Sequence, residues 1–149
     1  MELYDWPEIT VNTELDRAFA YWAGLVKDEV SIPAKKMAEP LPDNPIDLDR
    51  FINEWVEGWA PRVASLAVTS EWFLQQAKSE KWPQKLRSAD GKPLNTDADR
   101  SAEYEGLLKD YRWVRNYLDM LVQHMRERVR WAQSVRKVHS DVQTGVGGF

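Results

Sequence analysis

Eight cations crowd residues 107–140: Lys109, Arg112, Arg115, Arg126, Arg128, Arg130, Arg136 and Lys137, against only Asp110, Asp119 and Glu127. Guanidinium groups meet phosphate oxygens with paired, parallel hydrogen bonds, and aromatic side chains beside them can stack on unpaired bases. If this stretch is helical, Arg112, Arg115, Arg126, Arg130 and Lys137 share one side of it. A second basic group, Lys78, Lys81, Lys85, Arg87 and Lys92, surrounds Trp82. These residues, with Lys92 left aside, nominate a surface for a polyanion whose affinity falls as salt rises. The plainer reading is a solvated arginine face that pairs with the chain's own acids.

Other chemistries find little support. There is no Cys, which removes disulfides, thiolate metal sites and Cys nucleophiles. Only His124 and His139 offer an imidazole, and neither stands at metal-ligand spacing from another ligand. No phosphate-cradling glycine loop or nucleophile elbow occurs. The carboxylate pairs Asp47/Asp49 and Asp97/Asp99 sit where helices should start, and the helix dipole explains them. The expectation is a protein that is not an enzyme, with no catalytic residue, metal or cofactor.

The cations are matched by an acidic front. Residues 1–60 carry thirteen acids and five bases, and residues 61–106 carry seven of each. The chain is thus a dipole in sequence, with a net charge of −4. Its 149 residues, 43% hydrophobic and 30% charged, suit one folded domain. Eight Trp favour a chain that buries aromatics at an interface as well as in its core. No run is long enough to span a membrane, and the start lacks the basic-then-apolar order of a signal peptide, so a cytoplasmic location is expected.

The elements that must position these groups read as all-α. Trp6-Pro7 argues for an extended arm over 1–12. Thr13 caps a helix over 13–32 with Leu15, Phe19, Trp22 and Val26 on one face, ended by Pro33. Pro40, Pro42 and Pro45 stiffen a linker over 37–45. A helix over 46–82 then starts at Asn44-Pro45 or Asp47, and Pro61 kinks or breaks it. Residues 84–95 form a loop with Asp90-Gly91 as its turn. Asn95 or Thr96 caps one very long helix over 96–140, and the Gly-rich 141–149 is a flexible tail.

In projection the long helix carries two apolar faces. One runs through Tyr104, Leu107, Tyr111, Val114, Leu118, Leu121, Val122, Met125, Val129 and Ala132, partly in heptad register. Trp113, Tyr117, Met120, His124 and Trp131 lie on roughly the opposite side. A surface helix needs one apolar face; a second predicts a homo-oligomer interface at those five residues. The overall expectation is a helical bundle built on the long C-terminal helix, with two or three shorter helices before it, assembled into an oligomer.

The order of a helix over Val63–Glu80, a polar loop over Ser88–Asp97 and a long helix with a basic end resembles the UvsY-type recombination mediators of phages. The long helix runs from Tyr104-Glu105-Gly106-Leu107-Leu108-Lys109-Asp110-Tyr111 through Met120-Leu121-Val122-Gln123-His124-Met125-Arg126. The likeness is one of pattern over about residues 60–140. It implies an oligomer that binds single-stranded DNA and helps load a recombinase past a single-strand-binding protein, in the cytoplasm of a bacterial host. Two alternatives stand beside it: a phage virion or scaffold protein acting only through protein contacts, and an acidic inhibitor of a host nucleic-acid enzyme.

Overall fold

The computed structural model describes residues 2–82 and 96–148, with side chains to residue 142. The predicted loop and turn over 84–95 therefore lie outside the described residues, as do Lys85, Arg87, Lys92 and Phe149. The fold is all-α: among the described residues there is no strand. A short 3-10 turn, Leu3–Asp5, opens the arm. Helix α1 follows over Glu14–Met37, α2 over Pro45–Asn53, α3 over Ala60–Lys81 and α4 over Asp97–Gly148.

The helix starts follow side-chain chemistry. The Thr13 hydroxyl accepts the Asp16 backbone N–H at 3.2 Å, Asn44 Oδ1 accepts that of Asp47 at 2.9 Å, and Thr96 Oγ1 accepts that of Asp99 at 3.1 Å. Each satisfies one of the amides that a helix N-terminus leaves without a partner. Between α2 and α3 the chain makes a π-helical turn over Glu54–Trp59, in which the Ala60 N–H reaches the Trp55 carbonyl. That wider turn runs directly into α3, and Pro61 lies just after it, in the first turn of α3. The 46–82 segment is thus α2 and α3 joined by a π turn.

Two boundaries differ from expectation. Pro33 does not end α1; it lies buried inside the helix, which runs on to Met37. An interior proline costs about 3 kcal/mol of helix, and burying its ring beside Val30 offsets part of that. The backbone of 141–148 continues the helix, so α4 has 52 residues and extends about 78 Å at 1.5 Å per residue.

Helices α3 and α4 pack along each other, antiparallel, with Glu71 meeting Arg115 and the Lys78 carbonyl meeting Tyr104. The predicted apolar stripes meet in one core, including Phe19, Val26, Val63, Leu74, Tyr111, Val114, Leu118 and Met125. Its centre is aromatic: Phe19 stacks on Tyr111 with centroids 4.1 Å apart, and Phe73 packs on Phe19 at 5.3 Å and on Trp22 at 5.2 Å. Helix α2 packs farther along α4, where Arg136 pairs with Asp49 at 2.9 Å.

The arm has a packing role that the sequence reading did not foresee. Trp113 and Tyr117 stack on each other at 5.3 Å, and Trp6 meets both edge-on at 5.4 Å. Tyr117 is buried; Trp113 and Met120 are half-buried. Much of the face expected to need a second subunit is therefore covered by this chain's own first residues. His124 and Trp131, the rest of that set, are exposed. Among the described residues no helix is long and apolar enough to cross a membrane.

Candidate nucleic-acid interface

The regular turn of α4 places Arg112, Arg115, Arg126, Arg130 and Lys137 on one side of the helix, because these positions differ by three, four, seven or eleven residues or their sums. The structure then divides this row in two. In the N-terminal half, Arg112 pairs with Glu105 at 2.8 Å, and Arg115 pairs with Glu71 of α3 at 2.8 Å while standing 3.7 Å from Asp119. Glu71 is held below the usual carboxylate range, first by the Gln75 amide and then by Arg115. These two arginines are already neutralised.

The C-terminal half is different. Arg126, Arg130 and Lys137 are exposed, and none has an ion pair among the described residues. At 1.5 Å per residue their attachment points are about 6 Å and 10 Å apart along the helix. Such a row of unpaired cations can take an anionic chain, because each contact releases counterions that the phosphates had condensed. Arg128 and Arg136 face elsewhere, donating to the Glu39 carbonyl and to Asp49.

Arg126 and Arg130 also form one wall of an open groove between α3 and α4. One part, about 680 Å³, is lined by Ala64, Ala67, Val68, Glu71, Asp119, Val122, Gln123, Arg126, Glu127 and Arg130. A second, about 390 Å³, shares Ala64, Val122, Arg126 and Arg130 and continues past Ala60 and Pro61 to Val56. The floor is apolar because Ala60, Ala64 and Ala67 recur at helical spacing and stop short of Val122 and Val129. That spacing of alanines was the available signal for the groove in the sequence.

Of the second basic group, the two described members, Lys78 and Lys81, do not join this surface. Lys81 is 2% exposed. Its ammonium lies 2.8 Å from Asp16 and 3.3 Å from Glu80, and 5.7 Å above the Tyr111 ring. Tyr111 donates its hydroxyl to the same Asp16 oxygen at 2.6 Å, and the Asn12 N–H donates to the other at 3.1 Å. Burial pushes the Asp16 carboxyl up, but Lys81, Tyr111 and Asn12 outweigh it and hold it below the usual range. Burial, and then the bond to Asp16, push the Tyr111 hydroxyl well above its ordinary value. Lys81 is therefore a clamp between α1, α3 and α4 and cannot reach a phosphate. Lys78 is half-buried near the far end of α3, about 20 Å along that helix from Ala64.

The exposed aromatic nearest in sequence to the cationic row is Trp131, 61% exposed. It projects from the neighbouring flank of α4, not from the groove. Comparison with protein-family models, with characterised proteins and with solved structures finds no match to this chain. The candidate site rests on its own geometry.

Proposed function

We propose that the protein is a helical accessory module that binds single-stranded nucleic acid along the C-terminal half of α4, in the manner of a phage recombination mediator, and that it works as an oligomer. One observation carries this reading: Arg126, Arg130 and Lys137 stand exposed in a row without acidic partners among the described residues, while other arginines of α4 are paired. A row of cations left unpaired in a chain with an excess of acids suits an anion from outside. The pattern-level likeness over residues 60–140 agrees with this, and so does a contact that reads phosphate before sequence.

The test is a binding titration with a labelled single strand against salt. Three phosphate contacts per chain predict that log K falls with log salt with a slope of about −2. Arg126→Ala with Arg130→Ala should reduce the slope to about −0.7 and weaken binding uniformly across sequences. No binding at low salt by folded protein sinks the proposal.

A second reading is favoured by a separate observation. Tyr21, Leu25 and Ile32, at heptad spacing on the outer face of α1, are 73%, 53% and 50% exposed. Such a seam fits a helix of another protein chain, as in a virion or scaffold component that makes protein contacts alone. Self-association without any affinity for nucleic acid would select this reading.

A further inference from the structure

The groove between α3 and α4 lies directly beside the cationic row and shares Arg126 and Arg130 with it. Its floor, Ala64, Ala67 and Val122, is apolar and built of small or branched side chains that leave room for a planar ring. Its rim is polar on the α4 side. The Gln123 amide donates to Glu127 at 3.3 Å, and both side chains are exposed, leaving a carbonyl and carboxylate oxygens free to accept. We infer that this groove receives bases of the single strand whose phosphates lie on Arg126, Arg130 and Lys137, an inference that rests on the nucleic-acid reading above.

The chemistry is complementary in each part. Guanidiniums on the wall meet phosphate oxygens and can also donate to a guanine edge. A carboxylate such as Glu127 accepts from the exocyclic amine of cytosine, and a glutamine amide both donates and accepts. Bases reach such a floor only when they are unstacked from a partner strand, so the groove selects single strands over duplex. The row continues in line to Lys137, beyond the lining of the groove, which fits a linear polymer longer than the groove. The exposed Val56 and Val68 also line the groove, but Glu71, Gln123 and Glu127 border its floor, a mixed rim that suits the polar edge of a base better than the apolar face of a helix from a second copy.

The experiment compares binding of the full chain to an oligo-dC strand and to an equally long strand of abasic sites, with sedimentation run in parallel. The intact protein should bind the base-bearing strand about tenfold more tightly, near the low end of the discrimination that one good base-edge contact supplies. Ala67→Trp fills the groove and should erase that preference while leaving the salt slope unchanged. Gln123→Ala with Glu127→Ala, both at exposed positions, should reduce the preference without touching the core, and serves if Ala67→Trp does not fold. Equal affinity of the intact protein for both strands overturns the inference and leaves the phosphate row standing. So does preference retained in the filled groove, or a filled groove that changes only self-association. Failure to bind either strand removes the nucleic-acid reading itself.

Discussion

At Asp16 a carboxylate 2% exposed accepts from Lys81, from Tyr111 and from the Asn12 backbone, so one side chain ties α1 to both α3 and α4. Removing it leaves the buried Lys81 ammonium with the partly solvated Glu80, at 3.3 Å, as its remaining counter-charge among the described residues. Asp16→Ala should therefore cost about 3–5 kcal/mol, measured by denaturant unfolding. A loss under 1 kcal/mol would mean that Lys81 finds water instead. The same cluster sets two pH limits. The lowered Asp16 pKa contributes stability that is present above its ordinary value of 3.8 and is lost as pH falls through the lowered one. The raised Tyr111 pKa contributes stability that is present below its ordinary value of 10.0 and is lost as pH rises beyond it. The thermal midpoint should be flat near neutrality and fall on both sides. Tyr111→Phe should shrink the alkaline fall; an unchanged alkaline limb would assign it to Tyr104 and Tyr117, whose hydroxyls burial also pushes up.

Among the elements, the arm and α4 depend on each other. Trp6 contributes two edge-on aromatic contacts, each worth about 0.5–1.5 kcal/mol beyond the area it covers. Trp6→Ala should cost about 2 kcal/mol and free the arm, seen as faster hydrogen exchange at the Thr10 amide, which donates to Asp110 at 3.3 Å. Deleting residues 2–9 uncovers the Trp113–Tyr117 stack. Concentration-dependent self-association should follow in sedimentation, because uncovered aromatics seek another surface. An unchanged sedimentation profile would place any subunit contact elsewhere, with Trp131, the outer face of α1 and Val68 and Trp72 of α3 among the exposed apolar positions. The cap of α4 is a smaller lever: Thr96→Ala should cost about 1 kcal/mol and fray the first turn.

Across the whole molecule, the acidic front and basic back meet only in part. Asp49 of α2 neutralises Arg136, and Glu39 offers a carbonyl to Arg128, but the acids of the first sixty residues do not reach Arg126, Arg130 or Lys137 among the described residues. This leaves a local positive strip on a protein of net charge −4. Long-range repulsion from the acidic half should make association with a polyanion slow at very low salt and leave short-range contact to decide affinity. Charge reversal at Lys137→Glu, distant from the core, should weaken single-strand binding several-fold without moving the thermal midpoint. A shifted midpoint would show that Lys137 serves the fold instead.

Helical periodicity alone determined the elements of this protein, since apolar residues three and four apart must share a face whatever they pack against. Cap chemistry, complete within four residues, marked Thr13 and narrowed the other starts to Asn44 or Asp47 and to Asn95 or Thr96; the structure assigns Asn44 and Thr96. Periodicity also placed five of the cations of α4 on one side. What only the tertiary structure decided is which of those cations remain available. Glu71 reaches Arg115 from another helix, Asp16 draws Lys81 into the core from 65 positions away, and Trp6 covers Trp113 and Tyr117 across more than a hundred residues. Pro33 shows the same limit from the other direction: its local cost was legible, but the burial that offsets it was not. Periodicity assigns a side chain to a face; only packing decides whether that face meets a carboxylate, a tryptophan or open solvent.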